Sequence, residues 1–311
     1  MATSGSYNFS VSRDDLILAA HQHIGAVGEG ETCTSSQTTE AAKLLNMITK
    51  LRAADGMPLW ALKRGYVLPV TDVSSVSTAG QIVTTYVQTT TSAASAAAAT
   101  TITLTSVTGV SDTYNIGVEQ DDGTVLWTTV SGAPAGSVVT LATALTAAVS
   151  SGNYVYVYQT ANRVQRILRI VDANMKNLDS SGTHPINQIS SAEYYALGNR
   201  TSESVPSQFF VDVGLTAQLV YVYPRFYAGA DLMEFTYHSP FQDFDASGDT
   251  PDFPQEFYLP LMVQLASLLG PKFGVPLEER KQLIAEAEMY FQMALMTTYP
   301  EGSLYLQPSE D

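Results

Sequence analysis

The densest set of side chains able to do chemistry is a run of acids late in the chain. Asp243, Phe244, Asp245, Ala246, Ser247, Gly248 and Asp249 put oxygen-bearing groups at alternate positions with glycine sixth, which matches the first half of a calcium loop. The twelfth position is Pro254, where such a loop needs a bidentate glutamate, so the run reads as a solvated acidic connector. No metal and no cofactor is expected. Asp231, Glu234, Asp243, Asp245, Asp249, Asp252 and Glu256 also occur with no Lys or Arg between them. If copies of the chain surrounded passing DNA, the acids Asp243, Asp245, Asp249 and Asp252 would repel phosphate and let the duplex slide. A plain water-facing surface is the competing reading.

Other chemistry is sparse. His21 and His23 stand two apart on an expected helix, which points them to different faces and reads as a partly exposed pair rather than two ligands of one metal. Neither a Gly-rich phosphate loop nor a zinc-protease helix nor a nucleophile-elbow serine is present in the sequence, and no catalytic residue is assigned. The aromatic groups Tyr194-Tyr195, Phe209-Phe210 and Tyr221-Val222-Tyr223 could stack bases, but with no basic residues clustered beside them a strand-core role is expected.

Fifteen basic against thirty acidic residues give a formal net charge of -15, which opposes stable binding to a phosphate backbone. Cys33 is the single cysteine, so neither an intrachain disulfide nor a cysteine zinc cluster can form, and a reducing compartment is the simplest setting. The opening MATSGSYNFSVSRDDL lacks the cationic start and apolar core of a secretion signal. The most apolar helical stretch, residues 258–269, is interrupted by Pro260 and Gln264 and is shorter than the roughly 20 residues a membrane span needs.

The elements that must position these residues change character along the chain. Ser12, with Asp15 three residues on, is a capping-box start for a helix carrying Leu16, Ile17, Ala20 and Ile24 and stopping near Gly25. A second helix is expected where Ala41, Leu44, Leu45, Ile48 and Leu51 mark one face. From Val70 to Gln159 the composition turns to Thr, Ser, Val, Ala and Gly with alternating polarity, which predicts strands at 101–105, 114–119, 124–130, 137–141 and 154–158 in a small barrel or sandwich. Asp122-Gly123 predicts a type I′ hairpin turn. Further strands are expected over 163–171, 208–213, 218–223 and 232–237. Asp252 is expected to cap a helix carrying Phe257, Leu261, Leu265 and Leu268, and Pro276 to open another with a broad stripe from Leu283 to Leu295. The fold class expected is α+β: a bundle of N- and C-terminal helices, a central antiparallel β region and an inserted β module. The divisions are 1–69, 70–160 for the insert, 161–250 and 251–311. The last stretch, with Leu304, Tyr305 and Leu306 among polar residues, suits an extended tail that docks on a partner.

Three groups of fragments carry a resemblance. The N-terminal part holds SRDDLILAAHQHIGAVGEGE and AAKLLNMITKLRAADGMPLWALKRG; the later part holds ISSAEYYALGNRTSESVPSQFFVD, VYVYPRFYAG and DTPDFPQEFYLPLMVQLASLLGPKFGV; a final alanine-containing helix follows. In this order they resemble the head-to-tail adaptor family of short-tailed bacteriophages, over residues 7 to 69 and 163 to 311, with the β insert outside the match. The resemblance implies a structural virion protein, assembled in the host bacterial cytoplasm. It implies a dodecameric ring under the portal protein that continues the DNA channel, offers a platform to the tail nozzle and the fibres or spikes, and sends its C-terminal Leu304, Tyr305 and Leu306 toward the portal. A host-attachment or carbohydrate-binding tail protein, through the β insert with its Asp-Gly hairpin, is the alternative; an exposed aromatic shelf on the insert and a trimeric state would favour it.

Overall fold

The computed structural model describes residues 9–54, 62–214, 217–227 and 229–296. The protein is mixed α and β with several antiparallel sheets. Five helices form among the described residues: α1 (Arg13–His23), α2 (Ser35–Ala54), α3 (Ser191–Ala196), α4 (Tyr258–Leu269) and α5 (Leu277–Met296). The strands are β1 (Leu62–Val67), β2 (Ser75–Ser77), β3 (Ile82–Val83), β4 (Val87–Thr90), β5 (Thr101–Thr103), β6 (Asn115–Glu119), β7 (Val125–Thr129), β8 (Val138–Thr140), β9 (Tyr154–Tyr158), β10 (Arg169–Asn177), β11 (Thr183–Pro185), β12 (Asn187–Gln188), β13 (Gln208–Asp212), β14 (Leu219–Tyr223) and β15 (Asp231–His238). The chain divides into two units, one from Met1–Leu62 with Pro240–Asp311 and one from Lys63–Ser239.

In the first unit α4 packs against α1, α2 and α5. Helix α1 starts at the expected cap: the Ser12 hydroxyl accepts from the Asp15 N–H, and the Asp15 carboxylate accepts from the Ser12 N–H. Ile24 closes it, with Gly25 following at φ 69°. The inward stripe of α2 is Ala41, Leu45, Ile48 and Arg52, four or three residues apart in turn; Leu51, placed on that stripe from its type, is exposed. Asp252 does not cap α4. A 3-10 turn at Gln255–Phe257 leads into that helix, and the Asp252 carboxylate instead accepts from the Gln242 N–H at 3.2 Å.

The second unit is built from stacked sheets. A five-stranded sheet runs β11-β10-β15-β1-β3, and a four-stranded sheet runs β12-β13-β14-β2. Val67, Ile170, Met175, Met233 and Phe235 from the first meet Val76, Phe209, Val220 and Val222 from the second in one buried core. The strand expected at 163–171 lies later, at 169–177. The opposite face of the five-stranded sheet, through Tyr66, Leu68, Val83 and Leu232, meets Tyr156, Tyr158 and Trp127.

Those three aromatic residues belong to a further sheet of order β4-β9-β6-β7, whose other face packs Ile116, Val118, Val155 and Val157 against Ile102 and Val139 of the β5-β8 pair. The sheet is open, with β4 and β7 at its ends, and no closed barrel forms among the described residues. Strand pairing separates this region near residue 86 rather than 70, because β2 pairs with β14 and β3 with β1. Alternation along Tyr154–Tyr158 puts tyrosines on one face and valines on the other, so both faces of the sheet are buried.

The hairpin falls at the expected residues with a different turn. The Gly123 N–H donates to Gln120 O at 2.9 Å and the Gln120 N–H to Thr124 O at 2.8 Å, and only Gly123 of the loop has positive φ, at 86°. This is a three-residue loop, a type I turn followed by a left-handed glycine, not a type I′ turn. Asp122 selects it by accepting from the Thr124 N–H at 3.0 Å, and Asp121 is held by the Ser150 N–H and the Asn153 side chain.

Candidate functional site

The acidic run forms a loop that seats the start of α1. The Arg13 N–H donates to Asp249 O at 2.8 Å, the Asp14 N–H to Ser247 O at 3.4 Å, and the Arg13 guanidinium to Asp245 O at 3.0 Å. First-turn N–H groups have no partner inside their own helix, so loop carbonyls satisfy donors that would otherwise need water. The loop is closed from within by Asp249, whose carboxylate accepts from the Asp245 and Ala246 N–H groups at 2.8 and 2.6 Å.

Helix α2 grips the same loop. Asn46 accepts from the Phe244 N–H at 2.9 Å and donates to Phe244 O at 3.4 Å, with the Phe244 ring buried. Lys50 pairs with Asp243 at 2.8 Å, both half-exposed, a geometry worth about 0–1 kcal/mol. Asp243, Asp245, Asp249 and Asp252 thus lie together, lining an open polar hollow of about 530 Å³. Among the described residues no group of three or more His, Cys, Asp or Glu side chains is placed to hold a metal ion. Of the remaining acids, Asp231 is buried and accepts from the Asn177 side chain at 2.7 Å, and Glu234 pairs with Arg64 at 3.0 Å.

The histidines separate. His23 is exposed, whereas His21, expected to be partly exposed, is fully buried. Its Nδ1 lies 2.9 Å from Ile17 O, and its ring meets Phe273 edge-on at 5.4 Å. His21 falls one residue after Ala20 on the buried side of α1, a phase that its polar type disguises. The His238 imidazole is pushed down by burial and by nearby Arg169.

The aromatic groups take the strand role. Phe210 and Tyr221 are cross-strand partners stacked 4.5 Å apart at 9°, covered by Tyr194 and Tyr195 from α3. The alternate residues Phe209, Val220 and Val222 face the core.

Exposed apolar side chains concentrate on the helical unit. Met47 and Leu51 follow one another four apart on α2 at 65% and 64% exposure. On α5 Ile284, Met289, Met293 and Met296 are exposed, and only Leu283, Ala287 and Ala294 of the expected stripe are buried. Leu304, Tyr305 and Leu306 lie outside the described residues.

Sequence reading missed the residue that ties three helices. The Arg52 guanidinium lies 4.1 Å from the Phe291 ring centroid on α5, donates to Gln264 of α4 at 3.0 Å and pairs with Glu288 of α5 at 2.9 Å. The Glu288 carboxyl is held below its usual range by hydrogen bonds from Gln292 and Arg52. The signal was the position of Arg52 four residues after Ile48. No helix of the described residues is long and apolar enough to cross a membrane. No protein-family model matches the chain, and a search of curated proteins finds no significant relative.

Proposed function

We propose that the chain is a structural assembly protein, a head-to-tail adaptor of a short-tailed bacteriophage. It forms a ring of about twelve copies beneath the portal protein, carries the nozzle and fibre or spike proteins, and lets DNA through without gripping it. The observation that carries this reading is the helical unit, where α1 and α2 pack with α4 and α5 and leave methionines and leucines of α2 and α5 open to water. Apolar side chains of this kind favour burial against another protein surface, and methionine adapts to irregular partners. The helices act in this role as one bundle, with the β-rich insert as a sandwich added to the adaptor core. The net charge of -15 supports passage of DNA without adhesion.

The test is the mass and symmetry of the full chain mixed with its portal protein, read by native mass spectrometry and electron microscopy. A ring of about twelve copies on the portal is expected, in keeping with closed cyclic assembly. Replacing Met289 and Met293 with Gln should weaken it. A chain that stays monomeric and never joins the portal would overturn the reading.

A further inference from the structure

An open groove of about 310 Å³, within the size range of small-ligand sites, lies beside β7. Gln81, Asn115, Trp127, Thr128, Thr129 and Thr143 line it, so it offers an indole, two carboxamides and three hydroxyls with no formal charge.

Part of this lining is fixed in advance. The Trp127 indole N–H donates to Pro69 O at 2.9 Å, and its ring lies over Gly117. The Asn115 amide donates to the Thr160 hydroxyl at 3.0 Å and accepts from Arg163 at 3.3 Å. The Thr128 hydroxyl accepts from the Thr143 N–H at 3.0 Å and keeps its own proton to donate. Among the described residues the Gln81 carboxamide and the Thr129 and Thr143 hydroxyls have no side-chain hydrogen-bond partner, which leaves them to a ligand.

The chemistry narrows the ligand. An anion needs a cation in the lining, and none is there. A peptide adding as a strand needs a free sheet edge, but the β7 side is already engaged by Ala142, whose N–H donates to Thr129 O at 2.9 Å, and by the Val130–Leu141 bridge. What remains is a neutral molecule with many hydroxyls and apolar C–H faces.

We infer that this groove binds a neutral oligosaccharide. The Trp127 ring meets a sugar's C–H face, and Gln81 and the threonines exchange hydrogen bonds with its hydroxyls, while Asn115 can only accept through the remaining lone pair of its oxygen. This goes beyond the assembly role and does not depend on it.

The test is saturation-transfer NMR on the full chain with cellotriose, maltotriose, mannotriose and chitotriose, and with a polyuronate as the charged comparison. Saturable binding of at least one neutral trisaccharide is expected, with a Kd of about 1 mM or tighter. Gln81→Ala and Thr143→Val should each weaken it by about tenfold; Thr129→Val, on an exposed residue, is a further variant if either of the first two misfolds. No saturable binding of any neutral trisaccharide to about 10 mM overturns the inference, and so does preferential binding of the polyuronate. Binding that all folded variants leave unchanged does the same. Ring formation is measured without sugar, so failure here leaves the adaptor reading standing.

Discussion

Trp127 lies across its cross-strand partner Gly117 so closely that a β-carbon on Gly117 would sit 2.6 Å from ring atom Cζ2. The ring cannot swing aside easily, because its N–H is bonded to Pro69 O and Tyr158 packs beside it at 5.8 Å. Gly117 is therefore a steric requirement of the aromatic face that joins the insert to the five-stranded sheet.

Gly117→Ala should lower stability by about 1–3 kcal/mol, the usual cost of overpacking a filled core. Denaturant unfolding of the full chain measures this. An unchanged midpoint would mean that the ring moves at little cost.

Gly123 supplies the single left-handed residue of the hairpin loop, at φ 86°. Gly123→Val should cost about 1–2 kcal/mol or more, and Gly123→Asn distinctly less, because a short polar side chain tolerates that region. Equal thermal midpoints for the two variants would contradict the turn geometry.

Arg52 is held by shape as well as charge. Arg52→Lys keeps the charge but loses the planar stack on Phe291 and the paired donors to Gln264 and Glu288, so a loss of about 1–2 kcal/mol is expected. If lysine restores full stability, the geometry of the guanidinium is irrelevant.

The Asp121 carboxyl lies below its ordinary range, held there by the Asn153 side chain and then by Ser150. A depressed folded-state pKa means that its contribution is present above the ordinary carboxylate range and is lost as the pH falls through the lowered value. The stability gap between the native chain and Asp121→Asn should therefore be widest at neutral pH and narrow in acid. Unfolding at neutral pH and at about pH 3 reads this out; a gap that stays constant would assign the difference to something other than ionisation.

The insert should not behave as an independent module. Residues 86–160 expressed alone would expose Tyr156 and Tyr158, which are buried in the whole chain against Leu68, Val83 and Leu232. Strand-type circular dichroism with self-association on sedimentation is expected; a stable monomer would show that the aromatic face tolerates water.

What the amino-acid sequence by itself determined was local. Ser12 with Asp15 set the start of α1, Gly25 its end, Pro276 the start of α5, and Asp122-Gly123 the place of the hairpin, because each signal acts within a few residues. The order of acids from Asp243 to Asp249 was legible too, but not that their loop carbonyls satisfy Arg13 and Asp14 more than 230 residues away. The tertiary structure alone decided that His21 and Arg52 turn inward while Leu51 stays out, since Phe273 in one case and Phe291 in the other supply the surface that receives them. It also decided that Val76 pairs with Val220, and that the tyrosine face of β9 is buried rather than displayed. Alternation shows that a strand has two faces; which partner covers each depends on contacts between segments far apart in the chain, and no local pattern encodes them.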